Sequence, residues 1–145
     1  ALRRTLRSHQ PLGVLLIDLD GFKPVNDLHG HALGDQVLAA VAMRLQTCAR
    51  ESDLVARLGG DEFVLVCEAL PSADHARQVA ERILEQLGHP IDTPSGEVRI
   101  GASIGIALSH GDDNPTSLIR QADMAMYRAK AEGRNRACFD EPAPP

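Results

Sequence analysis

The stretch "VARLGGDEFVLV", residues 55–66, is where the fold can first be read. "DLVARL" and "FVLVCE" are apolar runs of strand length, and the Gly59-Gly60 pair between them is a hairpin signal. Asp61 and Glu62 therefore fall at the tip of a predicted hairpin, adjacent carboxylates between two apolar strands. Turn chemistry alone favours such residues, so solvated turn positions are the plain reading of the pair by itself. A second reading depends on what the rest of the chain brings to that tip.

Upstream, "LGVLLIDLD" (12–20) is a continuous apolar run ending in acid, which suits a central strand covered on both faces. Asp18 lies at its carboxyl end, where open α/β sheets bind ligands. "GFKPVNDLHGHALGD" (21–35) follows, broken by glycines and a proline. From Asp35 to Arg50 the residues Val37, Leu38, Val41, Leu45 and Cys48 recur at helical spacing. Ser72 is the expected N-cap of another helix, with Val79, Ile83 and Leu87 on one face and a stop at Gly88. "EVRIGASIGIALS" (97–109) reads as one long strand in which Gly101 and Gly105 suggest a bulge or a close backbone approach. A last helix opens near Pro115 and ends at Gly133. "RACF" (136–139) adds a strand, and "DEPAPP" (140–145) reads as a tail without structure. The predicted order is β-α-β-β-α-β-α-β, an α/β sheet covered by helices, in one domain over residues 1–145.

Composition narrows the function. At 145 residues the chain suits a single domain able to bury about 68–70% of its unfolded surface. No apolar run reaches the roughly 18 residues of a membrane span, and "ALRRTLRSHQ" lacks the apolar core of a signal peptide. The net charge of −5 argues against non-specific DNA binding, which needs clustered Lys and Arg. Cys48, Cys67 and Cys138 are odd in number and far apart, which favours reduced thiols and a cytoplasmic location.

If the first strand neighbours the hairpin, Asp18 and Asp61 converge at one rim of the sheet. Clustered carboxylates repel unless a proton or cation intervenes. Mg²⁺ resolves this with one or two carboxylates and leaves room for phosphates. The backbone leaving that first strand enters a helix whose first turn suits Pro24, and its unpaired amides near Gly21 to Lys23 can cradle a phosphate, with Lys23 adding a point charge. Lys130 and Arg134 stand one helical turn apart at a helix end, a pattern that also serves as a solvated pair favoured by the helix dipole. Asn26 and Asp35 have the donor and acceptor chemistry to read guanine, although Asn26 also suits a turn and Asp35 a helix cap. His29 and His31 have metal-like spacing without a nearby Cys or third His, which argues against zinc.

Taken together, "IDLDGFKPVNDLHGHALGD" (17–35), "RESDLVARLGGDEF" (50–63), "ASIGIA" (102–107) and "ADMAMYRAKAEGRN" (122–135) resemble the GGDEF family of diguanylate cyclases. The resemblance runs from about residue 12 to residue 139. It implies a palm-like α/β domain with a mostly antiparallel central sheet flanked by helices, similar to nucleotide cyclase catalytic domains. Two such domains, each holding one GTP, would face each other as a homodimer and form cyclic di-GMP and two pyrophosphates. By motif position, Asp18, the Leu19 carbonyl and Asp61 look like ligands of Mg²⁺, with Mn²⁺ a substitute. Asp61 matches the proton acceptor and Glu62 a supporting catalytic carboxylate. Asn26 and Asp35 match the guanine readers, with His31 beside them; Lys23, Lys130 and Arg134 match the phosphate contacts. An aspartate at position 35 favours GTP over ATP, because an acceptor there opposes adenine N1.

"RESD" (50–53) matches the family's inhibitory Arg-x-x-Asp motif, which implies that cyclic di-GMP binds at Arg50 and Asp53, with Arg82 as a second arginine. Read without the family, Arg50 and Asp53 are an ordinary ion pair at a helix end. The family's opening segment, Asp-x-Leu-Thr-Gly-Leu-x-Asn-Arg, is absent, and the sequence is expected to begin inside the helix that follows it. His29 stands where an apolar or aromatic residue is common. The wording is similar to tandem proteins in which an EAL phosphodiesterase domain follows, so other domains of a longer, membrane-anchored protein are expected partners. The alternative to a cyclase is a catalytically silent module of the same fold that senses GTP or cyclic di-GMP for an attached domain.

Overall fold

The computed structural model describes residues 12–109 and 114–140. The expected start inside a helix and the tail from residue 141 onward lie outside the described residues. Strand β1 (Leu12–Asp20) is followed by helices α1 (Phe22–His29) and α2 (His31–Cys48). The hairpin β2 (Leu54–Gly59) and β3 (Glu62–Glu68) leads to α3 (Ala73–Leu87). A small hairpin, β4 (Ile91–Thr93) and β5 (Gly96–Val98), precedes β6 (Gly101–Ser109), α4 (Pro115–Ala131) and β7 (Arg136–Phe139).

The main sheet has five strands in the order β2-β3-β1-β6-β7, antiparallel throughout except for the parallel β6–β7 pair. β1 pairs over its full length with β6, and from Leu12 to Asp18 with β3, so it is the buried centre that its unbroken apolar run predicts. Its alternation divides the core. Leu15, Ile17 and Leu19 face a layer built from α2 and α3, whereas Leu12, Val14 and Leu16 face Leu118, Ala122 and Met126 of α4. The mostly antiparallel α/β layering matches the expected fold class.

The caps follow local chemistry. The Ser72 side chain accepts from the His75 amide at 3.2 Å, and Asn114 accepts from the Ser117 amide at 2.8 Å, with Pro115 next in line. Gly105 marks a close approach, not a bulge: a Cβ there would run into the backbone of Ala122 and Met126 in α4.

Two expectations are corrected. Residues 21–35 are not a broken connection: they hold α1 and the start of α2, and only Gly30 at φ 90° separates the two helices. Pro24 costs α1 nothing, because first-turn amides have no partner within the helix. Asp35 consequently sits inside α2 and does not cap it. The run 97–109 is likewise not one strand. It divides at Arg99-Ile100, because "TPSGE" turns β5 back onto β4, with Gly96 at φ 112°. At the other end, the Asp140 amide still bonds to the Ile106 carbonyl at 2.8 Å.

Candidate active site

Asp18 and Asp20 continue the face of β1 that carries Leu12, Val14 and Leu16. The stripe turns from apolar to acidic where it emerges near the end of α4. Register places Asp18 opposite Glu62 on β3 and opposite Ser103 on β6. The Leu19 amide donates to the Asp61 carbonyl at 3.1 Å, which pins the hairpin tip to the end of β1. Gly60, at φ 53°, makes the turn that a side chain would resist, and its carbonyl accepts from Arg57 Nε at 3.0 Å. The convergence of Asp18 with Asp61 and Glu62 is therefore a consequence of strand order.

Like charges directly across a strand pair repel. Burial, followed by the Asp18 charge, holds the Asp61 carboxyl above the usual carboxylate range. Burial, Asp18 and Asp123 do the same to Glu62. Lys130 answers from α4, its Nζ paired with Asp18 Oδ2. Burial alone pulls the Lys130 ammonium down, but Asp18, Asp61 and Glu62 together lift it above the ordinary lysine value. One ammonium does not balance three carboxylates. The other oxygen of Asp18, Oδ1, is buried with no hydrogen-bond partner, which is costly for a charged acceptor.

These residues fit a divalent cation. Asp18 brings an unspent oxygen, Asp61 lies beside it, and hard cations prefer carboxylate oxygens. Among the described residues no group of three or more His, Cys, Asp or Glu has metal-holding geometry. The fit is thus to an ion that takes one or two protein carboxylates and fills its remaining positions from water and phosphate.

A cavity of about 460 Å³ opens on this rim, lined by Asp18, Leu19, Lys23, Asp61, Lys130 and Arg134 among others. Gly21, at φ 81°, starts α1 there, and no side chain caps the helix. Three cations thus surround a carboxylate cluster at an open helix start, a combination suited to a phosphate chain accompanied by a cation.

Asn26 and His31 lie together, with Asn26 Nδ2 3.4 Å from His31 Nδ1. Gly34 has no side chain because the Asn26 carboxamide occupies the space where a Cβ would stand. Next along α2, Asp35 lines a separate groove of about 500 Å³ with Leu38, Val55, Arg57 and Phe63.

Arg50, Asp53 and Arg82 are not on this rim. Arg50 Nη2 donates to the Glu68 carbonyl at 2.8 Å and lies 3.4 Å from Asp53 Oδ1, while Asp53 Oδ2 accepts from the Arg50 amide at 2.8 Å. Arg82 Nη1 donates to the Cys48 carbonyl at the end of α2, 3.2 Å away. Sequence reasoning passed over Arg57 and Asp20. Asp20 was within reach, since alternate residues of a strand share a face and Asp18 had already been picked out.

The family model described as "Diguanylate cyclase, GGDEF domain" matches residues 1–136. The chain is 49% identical over 142 residues to the bifunctional diguanylate cyclase/cyclic di-GMP phosphodiesterase MucR of Pseudomonas aeruginosa, covering 97% of this chain and 21% of MucR. It is 47% identical over 137 residues to the diguanylate cyclase TpbB of the same species, covering 92% of this chain and 31% of TpbB. The chain thus spans less than a third of these relatives. The crystal structure of the TpbB GGDEF domain superposes with a TM-score of 0.93 at 44% identity, covering 97% of this chain and 91% of that one. The GGDEF domain of DgcB from Caulobacter crescentus, solved in complex with cyclic di-GMP, gives a TM-score of 0.89 at 28% identity, covering 97% and 84%. With the family model matched along nearly its whole length, the chain belongs to the GGDEF family of diguanylate cyclase domains.

Proposed function

We propose that this domain is a working diguanylate cyclase that condenses two GTP into cyclic di-GMP and two pyrophosphates. The observation that carries the reading is the convergence of Asp18, Asp61 and Glu62 on one rim, with a buried, unpartnered Asp18 oxygen facing an excess of negative charge. In this reading Asp18, the Leu19 carbonyl and Asp61 hold Mg²⁺, or Mn²⁺ in its place. When bound, the ion supplies charge neutralisation on the phosphates and acidifies the attacking 3′-hydroxyl. Lys23, Lys130 and Arg134 hold the triphosphate in the rim cavity. Asn26 and Asp35, with His31 beside Asn26, read the guanine edge. Asp61 accepts the proton of the 3′-hydroxyl, as its place at the hairpin tip beside Asp18 allows. Glu62 supports it from the first position of β3.

One rim holds one nucleotide, so joining two nucleotides calls for two rims facing each other across a two-fold axis. The monomer is inactive in this scheme. Product inhibition operates through Arg50 and Asp53, with Arg82 as the second arginine. The complex of the DgcB relative with cyclic di-GMP supports product binding by this fold. MucR, named for both activities, supports an attached EAL phosphodiesterase domain in the full-length protein. A cytoplasmic location follows from GTP as substrate; no helix among the described residues is long and apolar enough to cross a membrane.

A silent GTP-sensing module is the second reading, favoured by the ion pair in which Lys130 already occupies Asp18. Incubating the nucleotide-stripped domain with GTP and Mg²⁺ at high protein concentration, and separating the products, tests the two. Cyclic di-GMP establishes the cyclase. GTP bound without turnover, with the native flanking segments restored, establishes the module.

A further inference from the structure

The turn between α4 and β7 carries Arg134, and its backbone is unusual. The α4 helix ends in a pair of closing bonds, from the Gly133 amide to the Lys130 carbonyl at 3.3 Å and from the Arg134 amide to the Ala129 carbonyl at 2.9 Å. Gly133 takes the left-handed conformation that such an ending uses, at φ 124°. Arg134 and Asn135 then also have positive φ, 65° and 49°, a region that side-chain-bearing residues enter only when something holds them there.

Asp20 is what holds them. Its Oδ2 accepts from the Asn135 amide at 2.8 Å, and its Oδ1 accepts from Ser103 Oγ at 2.8 Å and lies 4.0 Å from Arg134 Nε. Ser103 is fully buried, so the carboxylate is anchored to the sheet before it reaches the turn. Gly101 leaves room for the contact, because a Cβ there would stand 3.1 Å from the Asn135 side chain. On the outer side Arg136 Nε donates to the Arg134 carbonyl at 3.1 Å. The turn is gripped from both sides, and the grip from within comes from the same strand face that presents Asp18.

We propose that Asp20 is a positioning residue: it fixes the left-handed Arg134–Asn135 turn to the sheet and so aims Arg134 at the triphosphate in the rim cavity. This rests on the GTP reading above and assigns Asp20 no contact with the reacting atoms. Its effect belongs to phosphate binding and not to the base.

The test is a double-mutant cycle of Asp20→Ala and Arg134→Ala, read by titration with 3′-deoxy-GTP, which keeps the triphosphate and cannot react, and with guanosine. Asp20→Ala is expected to weaken 3′-deoxy-GTP by about tenfold while changing guanosine by less than about twofold. In the Arg134→Ala background the same change is expected to cost nothing further. Asp20→Asn, which keeps an oxygen for the Asn135 amide, is expected to recover most of the affinity. In turnover assays KM for GTP is expected to rise with kcat little altered. Equal losses in both backgrounds, or a guanosine loss as large as that for 3′-deoxy-GTP, would overturn the assignment. Should Asp20→Ala fail to fold, the cycle is run with Ser103→Ala, whose smaller loss must likewise vanish without Arg134. A wild-type domain that binds no 3′-deoxy-GTP would overturn the GTP reading and this proposal together. A wild-type domain that binds it without coupling would overturn the proposal alone.

Discussion

Two charged regions of this domain are built on opposite plans. At the rim formed by β1, the hairpin tip and α4, the strand register forces Asp18 against Glu62, and Lys130 is paired with Asp18. Asp18 Oδ1 is left buried and unspent. Around Arg50 the charges answer one another: guanidinium to carboxylate and carbonyl, carboxylate to amide. The first region leaves a buried carboxylate oxygen for something from outside to satisfy. The second is already satisfied, so a ligand there must compete with bonds that exist. A charge left over by the fold points more firmly to a ligand than a charge that has found its partner.

That contrast can be broken most decisively at the hairpin tip. Asp61→Asn keeps the turn, since Asn suits the same backbone, but removes the proton acceptor and one carboxylate. Turnover is expected to fall by about 10²–10⁴-fold with an unchanged circular-dichroism spectrum. Near-wild-type cyclic di-GMP production in this variant would leave the tip as a solvated turn.

The next effect concerns neutralisation itself. Mg²⁺ at about 100 times its dissociation constant is expected to stabilise the wild-type domain by about 2.7 kcal/mol, and Asp61→Asn much less, as read by the thermal midpoint. The pH dependence has a definite sign. Asp61 and Glu62 have raised values, so the folded metal-free domain holds protons to a higher pH than the unfolded chain. Its stability from these groups is present below the ordinary carboxylate range and is lost as pH rises through the folded values. Mg²⁺ competes with those protons, so its stabilisation should shrink as pH falls into that range. Stabilisation that is independent of pH would place the ion elsewhere.

Gly105→Ala probes how the counter-charge is delivered. A methyl there meets the α4 backbone and not a yielding side chain, so a loss of about 1–3 kcal/mol is expected in denaturant unfolding. An unchanged midpoint would show that α4 can shift. The smallest effect is expected at the satisfied region. Arg50→Ala should relieve product inhibition by up to about tenfold and leave initial turnover intact, since an arginine already bonded within the protein has less left to give a ligand. Inhibition unchanged by Arg50→Ala would leave the Arg50–Asp53 pair as an ion pair and nothing more.

The features legible in the sequence were those with short-range causes. The hairpin followed from Gly59-Gly60 between apolar runs, the cap of α3 from Ser72, the start of α4 from Pro115, and the central strand from its unbroken apolarity. The meeting of Asp18 with Asp61 followed once β1 and β3 were taken as neighbours. What escaped depended on competition or distance. The helix start at Pro24 was legible, but the glycines of 21–35 masked its division at Gly30 into α1 and an α2 that already begins at His31. The β4–β5 hairpin is too short for a period to register. The clasp of Asp20 on Asn135 joins residues 115 positions apart in the sequence, and the hold of Arg50 on the Glu68 carbonyl depends on where β3 ends. No local pattern encodes either contact.

Gly105 has a consequence beyond stability. Because no atom separates β6 from the α4 backbone there, the helix has a hard stop on the side facing the sheet, and Lys130 inherits that stop about one turn after Met126. A missing side chain thus acts as a gauge block, setting the clearance between the cationic and anionic walls of the site. Variants that alter residue 105 would detune this clearance without touching a single charged group, and their defect would look catalytic although its origin is dimensional.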